Sequence, residues 1–390
     1  MNINSIPERL NFIKSLLNGK EVNLMMNLDN NETENILIHN NHKEENKNCS
    51  DIRCILNKKI FDFKKIINNI GGKLCYIKSG STGHTFKGFC NKTGKKYAVK
   101  IVAYPKTSKY GDLYNVKRPE NAELLIIKLL SYFVINKQSP HIVLPICTFN
   151  TTIKPFINIS CIDNKKYDLF IKKVKKNLYF NEVSVLMSEW ADGGDLLDYI
   201  RQNYKTFTTR HWRVIFFQIL SVLAVIQNKY ESFRHNDLKA NNILIQNINM
   251  VDKVNNKFKY NINNQEYIVP NIGIITKIWD FDFATIPGII DNAKVEAEWT
   301  DKINIFPKRN KYYDMHYFFN TLSMKGFFPE ILDSNIVHKS VGEFIRRIVP
   351  VEYSKGKNVT DRGRIKINKE INTPDNVLRT DPFFKKMRKN

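Results

Sequence analysis

The chain has 390 residues and a formal net charge of +23, from 61 Lys and Arg against 38 Asp and Glu. That length supports one large domain or two medium ones around a substantial core. It excludes a disulfide-stapled miniature, because the six Cys all lie in the first half and match no zinc pattern and no dense disulfide frame. A charge this basic would suit nucleic acid or an anionic membrane. The excess is mostly Lys scattered among Asn and Ile, however, as a biased codon supply produces. The compact block Lys385-Lys386-Met387-Arg388-Lys389 reads as a solvated tail. No run approaches the roughly 18 apolar residues of a membrane span. The N-terminus lacks a basic-then-apolar signal pattern, and the cysteine usage points to a reducing, cytoplasmic compartment.

In chain order, residues 5–27 come first. Leu10, Ile13, Leu16 and Leu17 recur at helical spacing and predict a helix that docks on the body. Residues 28–50, rich in Asn, Glu and Lys, predict a flexible connection. From about residue 73, LCYIKSG, HTFKGFC and KKYAVKIVAY read as short strands separated by Gly turns. Pro119 then opens a helix over 119–135, and HIVLPICTF and NEVSVLMSEW give two more strands. The segment is a mainly β unit with one helix. After ADGGDLLDYI the pattern turns helical, and residues 209–230 carry apolar positions along one broad face, as a buried helix does. Two segments read as insertions, the Lys-rich 152–180 and the Asn-rich 247–272.

Five stretches can carry chemistry, and each also has a plain structural reading. KSGSTGHTFKG (78–88) places Gly80, Ser81 and Gly83 in a turn between strands. Gly permits positive φ and lets backbone N–H groups approach a phosphate, although a simple hairpin has the same look. In YAVK (97–100), Lys100 ends an alternating run and would usually face water. If buried it needs a carboxylate, and Glu123 on the following helix or Glu120 one turn earlier could supply it. LMSEWADGGDLLDYI (186–200) ends a strand at Ser188-Glu189-Trp190 and opens a helix at Asp195, which by itself is a linker with an N-cap. RHNDLKANNILI (234–245) crowds Asp237, Lys239 and Asn242 before an apolar strand. An Asp can take a hydroxyl proton, an Asn oxygen can coordinate Mg²⁺, and a Lys can neutralise a phosphate. In TKIWDFDFAT (276–285), Asp280 follows a short strand, where its carboxylate could bridge metal and phosphate.

In this order the five stretches resemble the protein kinase signature over roughly residues 73–330: Gly-rich loop, strand-three Lys, helix-C Glu, hinge, catalytic loop and metal-binding Asp. HNDLKANN resembles HRDLKxxN, WDFDF resembles the DFG segment, YYDMHYFFNTL around Asp314 resembles the central helix whose Asp braces the catalytic loop, and TPDNVLRTDPFF resembles the family's closing segment. The combination looks closest to serine/threonine kinases of large DNA viruses, the poxvirus type and its giant-virus relatives. The resemblance implies a bilobal α+β fold: a small, mainly antiparallel β N-lobe with one helix over 73–190, and a larger, mainly helical C-lobe over 191–390. Residues 1–72 would form an N-terminal extension.

By the same resemblance, ATP and Mg²⁺ or Mn²⁺ are the cofactors and protein Ser/Thr hydroxyls the acceptors. Gly80, Ser81 and Gly83 would cover the phosphates. Lys100, held by Glu123, would contact them. Glu189 and Trp190 would present the hinge to adenine, with Ser188 behind them, and Asp195 would bond the ribose. Asn242 and Asp280 would hold metal, Asp237 would be the base, and Lys239 would face the γ-phosphate. Nucleic acid is not required, and the basic surface could recruit acidic partners or membranes. A viral source would put the enzyme in host cytoplasm and virion.

Five departures stand out. Lys78 replaces the first loop glycine, and Thr85 the usual Val over adenine. Asn236 replaces the Arg that reads a phosphorylated activation loop, which predicts activity that does not wait for that phosphate. Asp282 replaces the Gly of DFG, and no APE motif follows. Two alternatives share parts of the pattern: a small-molecule kinase of the choline or aminoglycoside type, and a catalytically weak kinase-like binding module.

Overall fold

The computed structural model describes residues 6–26, 50–70, 72–80, 82–91, 93–157, 159, 165–248, 257–296, 300, 305 and 308–389. The connection expected over 28–50 therefore lies, apart from Ser50, outside the described residues. The chain divides into two compact units, one built from residues 7–132 and 143–190 and the other from residues 1–6, 133–142 and 191–390.

The first unit is organised on a five-stranded antiparallel sheet in the order β1-β2-β3-β5-β4, with β1 Gly72–Ser79, β2 Gly83–Cys90, β3 Lys96–Pro105, β4 Pro145–Thr152 and β5 Tyr179–Glu189. Strand β3 shows why the sheet forms. Tyr97, Val99, Ile101 and Ala103 alternate into the core, and the intervening residues are half-buried on the other face. Its register sets Lys100 between Thr85 on β2 and Leu186 on β5. Gly83 has a packing reason to be glycine. A Cβ there would lie 1.7 Å from the Ile101 carbonyl oxygen, so only a bare backbone lets β2 approach β3.

Around this sheet lie α1 (Ile6–Leu17), α2 (Ile52–Leu56), α3 (Phe63–Ile70), α4 (Pro119–Ile135) and α5 (Lys165–Lys175), three more helices than the two read from the sequence. Helix α1 docks as expected, although Phe12 is buried in its contact face and Leu10 is only half-buried. Helix α5 falls in the Lys-rich segment that reads as an insertion. It is tied to the sheet by Phe170, whose ring lies 4.5 Å from that of His84.

The second unit contains α6 (Leu196–Asn203), α7 (Thr209–Lys229), α8 (Tyr313–Leu322), α9 (Lys339–Ile348) and α10 (Pro374–Thr380), with two antiparallel ladders, β6 (Ile243–Asn247) on β9 (Ile274–Ile278) and β7 (Lys257–Ile262) on β8 (Gln265–Pro270). By length and apolarity α7 could cross a membrane, which corrects the reading that no segment comes close. It is instead the core helix of this unit: the rings of Phe319 and Phe344 lie 4.9 and 5.7 Å from that of Phe216. The Asn-rich insertion contributes the β7–β8 hairpin, whose Tyr260 and Tyr267 rings each lie 5.2 Å from Phe217. The C-terminal basic block is not a solvated tail. Phe383, Phe384 and Met387 are buried, and the Lys389 main-chain N–H donates to the Glu266 carbonyl at 3.0 Å. The apolar residues interleaved with the lysines pull the segment down while Lys385 and Lys386 stay exposed.

Candidate active site

Within the first unit, Lys100 Nζ lies 2.6 Å from Glu123 Oε1, with both side chains largely buried. Two rows of side chains make this pair: β3 presents Lys100 on the face opposite Val99 and Ile101, and α4 presents Glu123 one turn from its Pro119 start. Glu120 is committed elsewhere, 3.2 Å from Arg118 Nε. The choice between the two glutamates is therefore decided for Glu123. At the turn before β2, the Gly80 N–H donates to the Gly83 carbonyl at 2.8 Å. Neither glycine adopts positive φ, so the conformational argument for them is replaced by the close approach at Gly83. Ser81 lies outside the described residues.

At the end of β5, the Glu189 side chain turns into the protein. It accepts the Leu144 N–H at 2.8 Å and pairs with Arg9 of α1, while its own N–H donates to the Leu144 carbonyl at 3.0 Å. Glu189 thus anchors the strand end, and its N–H is already used. Ser188 is buried behind it, and Trp190 is half-buried with Lys87 Nζ 5.1 Å from its ring.

Within the second unit, the stretch 234–245 is held from three sides. Asp314 at the start of α8 is fully buried and accepts the main-chain N–H groups of His235 at 2.7 Å and Asn236 at 2.9 Å. Burial pushes the Asp314 carboxyl above the usual range, opposed by His235 and Arg234. One oxygen of Asp237, Oδ2, accepts from Lys239 Nζ at 2.9 Å and Asn242 Nδ2 at 3.0 Å. The other, Oδ1, lies 2.7 Å from Arg364 Nη2 and 3.4 Å from the Tyr317 hydroxyl. Asn242 also donates to the Asp237 carbonyl at 2.8 Å, which turns its amide oxygen the other way.

The β6–β9 ladder pairs Ile243 with Ile278, and the Trp279 N–H donates to the Asn242 carbonyl at 3.0 Å. Asn242 and Asp280 therefore flank the same end of one ladder. Asp280 sits at φ +66, a left-handed conformation that a non-glycine residue holds at roughly 1–3 kcal/mol of strain. Asp195 caps α6, accepting the Asp198 N–H at 3.0 Å, and the Gly193-Gly194 turn before it bonds across to Ile245. The donor set suits a hard cation. An amide oxygen and a carboxylate are two oxygen ligands of the kind that leaves the remaining positions of Mg²⁺ to phosphate and water. Among the described residues no cluster of three His, Cys, Asp or Glu could hold a metal by itself.

Residues 282–285 are tied down by main-chain and side-chain contacts. Asn236, at φ +64, donates from Nδ2 to the Phe283 carbonyl at 2.9 Å. Arg234 and Thr285 exchange main-chain hydrogen bonds, Lys294 pairs with Asp282, and Asn292 donates to the carbonyls of Asp282 and Ala284. Sequence reasoning missed Arg364, Arg9 and Lys294. Arg364 lies 127 residues from Asp237 and Arg9 180 from Glu189, and each is one cation among 61. No local signal distinguishes them.

The sequence profile described as poxvirus serine/threonine protein kinase matches residues 96–385. Two Acanthamoeba polyphaga mimivirus proteins, both named "Putative serine/threonine-protein kinase", are similar. One is 44% identical over 98% of this chain and 80% of its own length, the other 26% identical over 74% and 83%. A crystal structure of the BubR1 kinase domain aligns over 55% of this chain and 48% of its own, at 16% identity and a TM-score of 0.34.

Proposed function

Because the chain belongs to the poxvirus serine/threonine protein kinase family, we propose that it is an active member, transferring the γ-phosphate of ATP to Ser and Thr hydroxyls of proteins. The observation that carries this is the dressing of Asp237. Its carboxylate is half-buried beside Lys239 and Asn242, two residues that a base for hydroxyl activation and a phosphoryl-transfer site both need. Asp237 orients the acceptor hydroxyl and takes its proton. Lys239 neutralises charge on the transferring group, Lys100 in the grip of Glu123 contacts the α- and β-phosphates, and Asn242 and Asp280 supply oxygens to Mg²⁺ or Mn²⁺, which neutralises phosphate charge. Gly80, Ser81 and Gly83 cover the phosphates. Glu189 contributes through its carbonyl rather than its side chain, beside Trp190, and Asp195 contacts the ribose.

The family assignment sets aside the choline- and aminoglycoside-type alternative. In the same reading the enzyme works in host cytoplasm and virion, and its basic surface recruits acidic protein or membrane partners. Fractionation of infected cells tests the first point, and the effect of salt on partner pull-down the second.

The test is phosphate transfer from labelled Mg-ATP to a basic protein and to an acidic casein-like protein, comparing wild type with Asp237→Ala and Lys100→Ala. Transfer by wild type and its loss in both variants is the expected result. Equal labelling by wild type and Asp237→Ala would overturn the proposal. Nucleotide binding without transfer would favour the non-catalytic binding module instead.

A further inference from the structure

Arg364 belongs to none of the motifs, lies between α9 and α10, and is buried to 4% exposure. Its guanidinium makes two contacts on consecutive residues of the catalytic loop. Nη2 donates to Asp237 Oδ1 at 2.7 Å, and Nη1 donates to the Asn236 main-chain carbonyl. The group is itself fixed. Its central carbon lies 4.2 Å from the Tyr317 ring centroid, and Nη1 lies 3.4 Å from the Tyr313 hydroxyl, both rings being on α8. Burial alone would lower its pKa, but Tyr313, Tyr317 and Asp237 raise it overall, so the charge stays in place.

We infer that Arg364 is a positioning residue for phosphoryl transfer: its planar fork ties the Asp237 carboxylate to the main chain beside it and so sets the side-chain torsion of the base. This rests on the reading of Asp237 as the base. The geometry is specific to a fork. Lys239 and Asn242 hold only Oδ2, and the Tyr317 hydroxyl reaches Oδ1 only at a long 3.4 Å, so without Arg364 the carboxylate could swing about that edge. A lysine in place of Arg364 would keep the charge but, as a point donor, could not span a carbonyl and a carboxylate in fixed directions. Misplacing a base by a fraction of the distance to the acceptor hydroxyl is enough to cost a large part of its effect. A guanidinium thus serves the catalytic loop even though Asn236 stands where the family carries one, and it comes from a remote segment. Because it is already spent on Asn236 and Asp237, it leaves unchanged the expectation that the enzyme does not read an activation-loop phosphate.

The experiment is single-turnover transfer by the full chain, normalised to nucleotide-binding sites titrated with a fluorescent ATP analogue, for wild type, Arg364→Lys, Arg364→Gln, Asp237→Asn and Asp237→Asn with Arg364→Gln. Arg364→Gln is expected to lower the rate per site roughly 10²-fold and Arg364→Lys about tenfold, each with analogue affinity within about twofold of wild type. On the Asp237→Asn background, adding Arg364→Gln should lower the rate by less than about twofold, because the group it positions is gone. A role confined to holding the segment between α9 and α10 would instead lower thermal stability and leave the rate per site unchanged, which would overturn the proposal, as would the same fold-loss in both backgrounds. If Arg364→Gln does not fold, Arg364→Lys, which keeps the buried charge, decides by the same criterion. An active wild type with a crippled Asp237→Asn and an unaffected Arg364→Lys refutes this inference alone. An Asp237→Asn as fast as wild type refutes the base assignment and the inference with it.

Discussion

Arg9 and Glu189 form a two-pronged ion pair across 180 residues of chain, with Nε donating to Oε2 at 3.0 Å and Nη2 to Oε1 at 2.5 Å. Both side chains are almost fully buried, and Glu189 also receives the Leu144 N–H. The pair fastens helix α1 to the end of β5. From Pro7 onward, α1 is therefore part of the first unit. Removing one partner of a buried pair leaves an uncompensated charge, at about 3–5 kcal/mol. Arg9→Met should lower the urea midpoint of the transition that reports this unit by that order. A loss within about 0.5 kcal/mol of zero, the usual range for surface substitutions, would show that the pair does not hold α1.

Lys100 and Glu123 give a second test, because Glu120 provides an internal control one turn away. Glu123→Gln should reduce kcat/KM for ATP on the order of 10²-fold by freeing the Lys100 ammonium from its fixed position. Glu120→Gln should leave that ratio near wild type and lower thermal stability instead, since it strips a partner from buried Arg118. Equal kinetic losses would mean that Lys100 has no preferred carboxylate.

The contacts of Asn236, Lys294 and Asn292 with residues 282–284 order that stretch without added phosphate. Enzyme treated with a broad phosphatase, and shown phosphate-free by mass spectrometry, should keep its initial rate within about twofold of untreated enzyme. Lys294→Ala should lower the rate in both preparations alike. A rate that collapses on dephosphorylation and returns on rephosphorylation would contradict this.

Gly80 and Gly83 should separate cleanly. Gly83→Ala places a methyl group in the Ile101 carbonyl and should destabilise the sheet by at least about 1–3 kcal/mol, as overpacking of a tight contact does. The nearest atom to a Cβ at Gly80 lies 3.9 Å away, so Gly80→Ala should fold normally. Thermal melts of the two variants decide the matter, and equal melting temperatures would be the adverse result.

His84 and His316 predict the acid limb of stability. Burial pushes each imidazole down to about 4, below an ordinary value of 6.5. The unfolded chain therefore takes up protons at these positions before the folded one does, and folding free energy is lost as the pH falls from about 6.5 through about 4. Above that window both groups are neutral in either state and contribute no slope. Urea midpoints at pH 7, 5.5 and 4.5 should fall for wild type, and His84→Asn should flatten part of the fall. An unchanged slope in that variant would remove His84 from the account.

Much of the site is legible because its chemistry is local in the chain. Asp237, Lys239 and Asn242 fall within six residues, and the same short stretch that carries the motif closes the hydrogen bonds among them. Lys100 is legible as a polar residue at a regular position of an alternating strand. Glu123 against Glu120 was open, because one turn of helix separates them and only the packing of α4 shows which carboxylate faces β3. The glycines were legible as a turn, yet the reason for Gly83 was not: its neighbour Ile101 is brought up by the β2–β3 register. The C-terminal basic block misled for a related reason. Charge dominates its composition, while burial of Phe383, Phe384 and Met387 dominates its energetics.

The sequence by itself determined the five strands, the buried helix α7 and the polar loop from Asp237 to Asn242 with Asp280 at the end of the neighbouring strand, since alternation, helical periodicity and closely spaced polar residues are short-range properties. Tertiary structure alone decided that Arg9 closes on Glu189, that Lys294 holds Asp282, and that Arg364 grips Asp237. These are single charges among many in a strongly basic chain. A charge becomes specific only when folding buries it beside one partner and takes away the water that would otherwise serve any of them equally well.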